Sequence, residues 1–377
     1  MTRIATATAA DGTATALADV QGTGAATAAA TANDGDAQAT ANAAAGNATA
    51  IASANDVTVN ASTTGNTTNI SGGTVTNVAG GEPVIVDSIA TATANAGGPN
   101  TADATANVDN VTVNASATNN TINISGGTVT NAAGGSVIVE PIATAIATGD
   151  TATATADVNN VTVNASATGN TVNISGGTVT GNVAGGSVTV DSIANGNPGT
   201  VNASATNNTV NISGNANLAA ANLYGGRITG MYVGAQDAFT GNTLNVRNFT
   251  SRFVGGIQNF QFFNFYFNPA DYNLNTQALL EVVGTADLTD GNGRTSEVQS
   301  ISTHGGTPLP RGAKVTLIEA SNNLDIGGAA NLQKATSTGV NYAASCNKFH
   351  CKNRRFNIFQ QHSISFIIVY ETNNIVQ

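Results

Sequence analysis

The chain has 377 residues, with Lys+Arg 12 against Asp+Glu 22 and a formal net charge of −10. That balance argues against a nucleic-acid partner, because phosphate contacts need Lys and Arg. The longest apolar run, FIIVY at 366–370, is too short to span a bilayer as a helix, and no cofactor is expected.

Residues 1–54 are almost wholly Ala, Thr, Gly, Asn and Asp, as in ATATAAD and ATAAATAND. They look like decayed repeats, a loose N-terminal coil or a disordered leader. Ala-rich runs form helices, but alternating Thr and frequent Gly and Asn weigh against that here.

From 55 to 223 the chain repeats itself. The block VTVN begins at Val57, Val111 and Val161, and a shortened copy, VNASATNNTVNISG, follows at Val201. Recurrence on this scale predicts a stacked repeat architecture. Within each unit the apolar residues have period two: Val111, Val113, Ile122, Ile124, Val137 and Val139 in one copy, Val161, Val163, Val172, Ile174, Val188 and Val190 in the next. These are expected to face inward, with Thr112, Asn123, Thr162 and Asn173 outward.

Gly-Asn, Gly-Gly and Asn-Asn pairs between strands tolerate the positive φ of tight corners. Antiparallel hairpins would fit such turns. A parallel β-helix also explains why whole units recur, because identical residues of successive coils then lie above one another. With a coil of roughly 25 residues, each unit would hold two coils. The expected fold is therefore all-β, a right-handed parallel β-helix with an aromatic-rich C-terminal cap.

All the aromatic residues, Tyr 6 and Phe 12, lie at or after Tyr224, and only Arg3 among the cations precedes Arg227. The repeats thus have only Val, Ile and Ala to fill a core, which must be thin. The segment 224–341 carries larger side chains, notably QNFQFFNFYFNP at 258–269, and reads as a stable cap on the stack. Residues 342–377 abandon the pattern and hold Lys348, Lys352, Arg354 and Arg355, which reads as a frameshifted or otherwise atypical tail.

The order NTVNISGGTVTGNVAGG, LYGGRITG, GNTLNVRNF, VGGIQNFQFFNFYF and KVTLIEA resembles the passenger region of bacterial autotransporters, the type V secreted proteins of Gram-negative outer membranes. The resemblance covers residues 57 to about 330 and implies a right-handed β-helix displayed at the cell surface. It also implies that the aromatic segment at 239–267 lies near the membrane-proximal end, where it helps nucleate folding. MTRIATATAADG shows no export signal, and no alternating barrel strands follow residue 340, so the chain reads as a truncated or degenerate product. Any outer-membrane contact would then run through a barrel this chain does not contain.

Catalytic chemistry has little to build on. The acids of the repeats are scattered at corners, as Asp56, Asp87, Asp109 and Asp191, where solvated carboxylates are the ordinary reading. Asp287, Asp290 and Glu297 in ADLTDGNGRTSE do not match the alternating ligands of a calcium loop. Cys346, His350 and Cys351 lack the spacing of a zinc site, and His304 has no nucleophile motif beside it.

The exposed rows carry more meaning. Asn123, Asn173 and Asn211 occupy equivalent positions, as do Thr112 and Thr162, and are expected to stack as hydrogen-bonding ladders. Such a flat polar face stabilises coils and is also suited to contact with another copy or a host surface. The function expected is a surface-displayed structural or adhesive passenger. The alternatives are a non-functional truncated product, a polysaccharide-active enzyme, or an ice-binding protein presenting rows such as TATAT at 151–155.

Overall fold

The computed structural model describes residues 2–326, apart from 10–12, 34–35, 46, 87–88, 98, 141, 192–199, 231–233, 275, 307–308 and 310–313; beyond 326 it describes only strands at 343–344 and 364–369. Cys346, His350, Cys351, the four basic residues of the tail and Asp87 lie outside the described residues.

Among the described residues the structure is all-β, and its strands collect into five sheets, called A to E here. Sheet A stacks Arg3–Ala9, Ala26–Asn33, Ala48–Asn55, Thr101–Asp109 and Thr151–Asn159. Sheet B stacks Ala14–Thr23, Ala37–Ala45, Ala90–Ala96 and Ala143–Thr148. Sheet C contains the VTVN strands, from Thr58–Thr64 through Thr112–Thr118 and Thr162–Thr168 to Thr200–Ser204 and Gln236–Asp237. Sheet D runs from Thr67–Ile70 through Thr121–Ile124, Thr171–Ile174, Thr209–Gly214, Thr243–Phe249 and Phe262–Phe267 to Glu297–Thr303. Sheet E, with strands such as Thr128–Ala133, Ser136–Val139, Thr178–Val190 and Asn217–Gly230, carries the stack to Lys314–Ala320.

Pairing between layers is parallel in these sheets and in register apart from local bulges, such as those at Thr130/Ala132 and Ser213/Gly214, so Thr162 lies on Thr112 and Thr112 on Thr58. The Ile364–Val369 strand departs from this by lying antiparallel on Lys314–Ala320.

The layer length corrects one expectation. Asn123 pairs with Asn69, 54 residues away, and Asn173 with Asn123, 50 residues away, so each repeat unit forms one layer rather than two coils. The missing half of that layer is the Ala/Thr material. Segments that precede each VTVN block form sheets A and B and belong to the same circuit of the chain. Residues 3–55, too, contribute five strands, with layers of 22 residues where Asn55 meets Asn33.

Two apolar columns result. The first holds the alternating alanines of sheets A and B, together with Val113 and Ala115 of sheet C and Val137 and Val139 of sheet E. Alanine suffices because two sheets faced only with methyl groups can approach closely, and packing density is then kept without bulky side chains. The second column lies between sheets D and E. It begins at Ile70, passes Ile122, Ile124 and Val129, and ends among Phe249, Phe260, Phe263, Phe265, Phe267 and Ile326.

The columns are staggered. Ala14 to Ala203 bound the first in sequence, Ile70 to Ile326 the second, so the layers that carry both run from the one with Val57 and Ile70 to the shortened copy with Val201 and Val210. Every inward position predicted from the period-two pattern is buried, from Val111 at 0% exposure to Val161 at 3%. At the C-terminal end the rings fill the second column, with Phe263 stacked on Phe265 at 6.4 Å and Phe267 edge-on to Tyr272 at 5.9 Å.

Candidate contact face and its supporting rows

The layers bring like residues into rows about 4.8 Å apart, the spacing of hydrogen-bonded strands. Rows of amides result on the sheets and at their corners, and they differ in burial.

The outer row of sheet D contains all three asparagines singled out from the sequence. Asn123 Nδ2 donates to Asn69 Oδ1 at 2.8 Å, Asn173 to Asn123 at 2.7 Å and Asn211 to Asn173 at 2.6 Å. The row continues through Asn245 and Asn264, and Ser300 Oγ closes it on Asn264 Oδ1 at 2.6 Å. Thr112 and Thr162 stack in register on sheet C, two residues before a second row in which Asn202, Asn164, Asn114 and Asn60 are joined at 2.9–3.0 Å. Corner rows form where Asn160 donates to Asn110 and Asn110 to Asp56, and where Asn131 donates to Asn77. Asp56 is thus part of a row. Thr151, Thr153 and Thr155 lie on Thr101, Asp103 and Thr105, so an acid interrupts that threonine surface.

Sequence reasoning missed the row that matters most for the fold. Asn120, Asn170, Asn208 and Asn242 are fully buried at the corner between sheets C and D. Asn170 shows how such a residue is tolerated. Its Oδ1 accepts from the Asn120 backbone N–H at 2.9 Å and from Asn120 Nδ2 at 3.3 Å. Its Nδ2 donates to Ala117 O at 2.9 Å and Asn208 Oδ1 at 3.1 Å. Both donors and both lone pairs are used, which is what burial of an amide requires. The preceding residue turns the corner at positive φ, 70° at Gly169 and 56° at Asn207.

Opposite this row the chain of sheet E pinches inward at Gly134, Gly185 and Gly225. A Cβ on Gly134 would lie 2.2 Å from Gly185 O and 2.9 Å from Asn170 Cβ. Gly134 does not have positive φ, so this Gly-Gly pair serves close approach rather than a tight corner, whereas Gly127 and Gly177 of the other pairs turn at positive φ as the sequence leads one to expect. The waist they form separates the two apolar columns.

Near the C-terminal end the repeat pattern breaks. Sheet D there presents an open groove of about 640 Å³, lined by Asn211, Asn245, Asn264, Ser213, Arg247 and Tyr266 among others. Arg247 stands over the Tyr266 ring at 4.9 Å, and Tyr266 Oη lies 2.8 Å from His304 Nδ1.

The loop that bears a partial likeness to a calcium site is occupied internally. Asp287 accepts from Thr289, and Asp290 accepts from the Asn292 and Arg294 backbone N–H groups and from Arg294 Nε. Glu297 lies apart from them, on a strand of sheet D. Among the described residues no group of three or more His, Cys, Asp or Glu gathers as a metal site.

Arg294 also reaches Asp237 at 3.1 Å and tops the Phe239 ring at 5.2 Å, tying this loop to the corner beneath it. Partial burial pushes the Asp237 carboxyl up, but hydrogen bonds from Thr240, Phe239 and Arg294 outweigh it and hold the pKa at about 2. A depressed folded value means stability that is present above about pH 4 and lost as pH falls toward 2. Arg294→Gln is expected to raise this pKa toward the ordinary carboxylate range, read from the Asp237 carboxyl carbon shift during titration; an unmoved midpoint would show that the ion pair contributes nothing.

Comparisons with protein families, with curated proteins and with solved structures return no match to this chain.

Proposed function

We propose that the chain is a right-handed parallel β-helix of the autotransporter passenger type, which acts by presenting a long polar face for cell–cell or cell–surface contact. Right-handed winding is favoured because parallel strands joined by a crossover adopt that hand almost always. The observation that carries the functional reading is the unbroken outer row of sheet D, seven layers from Asn69 to Ser300. A row of stacked amides gives a flat, regular surface whose spacing is fixed by the backbone, and such a surface suits repeated weak contacts over length.

The resemblance of 57 to about 330 to passenger regions supports reading that face as one displayed outside the cell. The scattered acids of the layers fit a scaffold better than a hydrolase, which needs paired carboxylates at a set separation.

Cells displaying residues 57–340 on a supplied outer-membrane barrel are expected to clump, or to bind a surface, and settle faster than cells displaying the barrel alone. Identical settling and identical surface retention of the two populations would refute the adhesive reading.

A further inference from the structure

We propose that the groove on sheet D around Arg247 and Tyr266 binds an anionic saccharide, with Arg247 taking its carboxylate. The inference rests on the contact-face reading and names the ligand class of that same face.

The argument starts from where the repeat is broken. Along sheet D the outward position after the asparagine row is Ser175 and Ser213 in the regular layers. In the next two layers, on the same line, it becomes Arg247 and then Tyr266. Both new side chains point out of the stack, so neither change fills the core; Arg247 is exposed. Departures from a local pattern without a packing gain are where function is expected.

Arg247 is also electrostatically unspent. The chain is acidic, yet among the described residues the ion pairs involve Arg252 and Arg294, and Arg247 contacts only the Tyr266 ring. Stacking on a ring that is itself held by His304 fixes the guanidinium plane, leaving its edge able to meet a carboxylate with two parallel hydrogen bonds.

The rest of the groove suits a sugar. Asn211, Asn245 and Asn264 each spend one amide hydrogen on the row, and each Nδ2 carries a second. Ser213 and Ser302 add hydroxyls along the same line. Uncharged donors and acceptors repeating at the strand spacing match the closely set hydroxyls of a linear saccharide. The groove's lining spans several successive layers, from Asn173 to Ser300, as a polymer requires. A single cation among them selects for one acid group rather than for a densely charged chain.

The test is calorimetric titration of the full chain with a hyaluronan hexasaccharide, which alternates uronate and neutral sugars, and with neutral chitohexaose. Hyaluronan is expected to bind, with chitohexaose at least about tenfold weaker, the value of one charged hydrogen-bonded contact. Arg247→Gln should weaken hyaluronan about tenfold and remove the preference over chitohexaose. Arg227→Gln, on sheet E, should change neither, and unaltered thermal unfolding of both variants shows that the fold is kept. Absence of hyaluronan binding, equal binding of the two sugars, or an unchanged Arg247→Gln titration would overturn the proposal. Because titration does not depend on display, any of these results leaves the settling assay as an independent measure of the contact reading.

Discussion

Asn170→Leu is expected to lower stability by about 4 kcal/mol, although it replaces a polar residue in a fully buried site by an apolar one of similar size. The change removes one amide but strands several partners. Asn120 loses the acceptor for its backbone N–H and its Nδ2, Ala117 O loses a donor, and Asn208 Oδ1 loses one of those it accepts from. Each buried group left unsatisfied costs about 1–3 kcal/mol, against a gain of about 2 kcal/mol from the apolar side chain. Asn173→Leu, in the half-buried outer row, is the matched comparison. Its neighbours Asn123 and Asn211 can turn to water, so a loss of about 0.5 kcal/mol is expected. Urea midpoints followed by circular dichroism separate the two. Equal shifts would mean that the inner row is no more important than the outer one.

Gly134→Ala is expected to be nearly as damaging, at about 3 kcal/mol, for a steric reason. The added Cβ meets Gly185 O at 2.2 Å and Asn170 Cβ at 2.9 Å, and neither is the end of a flexible side chain. Relief requires the waist to open, which separates the Asn170 amide from its partners as well as the two strands. Gly72→Ala provides the control, since nothing lies within 4 Å of a Cβ there and its φ is not positive. That variant should stay within about 0.5 kcal/mol of the parent. If both substitutions leave the urea midpoint unchanged, the waist is not closely packed in solution.

Much of the layer was legible in the sequence. The period-two Val and Ile pairs marked the inward face of sheets C, D and E, because a strand alternates its side chains and these residues are strongly apolar. The equivalence of Asn123, Asn173 and Asn211 gave the outer row, because an in-register parallel stack places like on like. Sheets A and B were harder to read. Their inward residues are alanines, whose small area gives a weak hydrophobic signal and whose strand propensity is low, so the alternation of Ala and Thr resembles a linker. With those strands unread, the repeat calls for two short coils instead of one long layer.

The same limit applies to the two asparagines of each unit. Asn119-Asn120 reads as a corner, and a corner it is at Asn119, with φ of 55°. Nothing in the local sequence tells that Asn120 turns inward while Asn123, three residues on, faces out. That depends on a glycine pair of another segment, Gly80-Gly81 lying against Asn120 as Gly134-Gly135 lies against Asn170, where a side chain would take the amide's room. The sequence by itself therefore determined the class of fold, the stacking of identical units and the outer rows, all of which follow from periodicity along the chain. Only the tertiary structure decided the layer length, the stagger of the two columns and the buried asparagine row, because each depends on which segments meet across the layer.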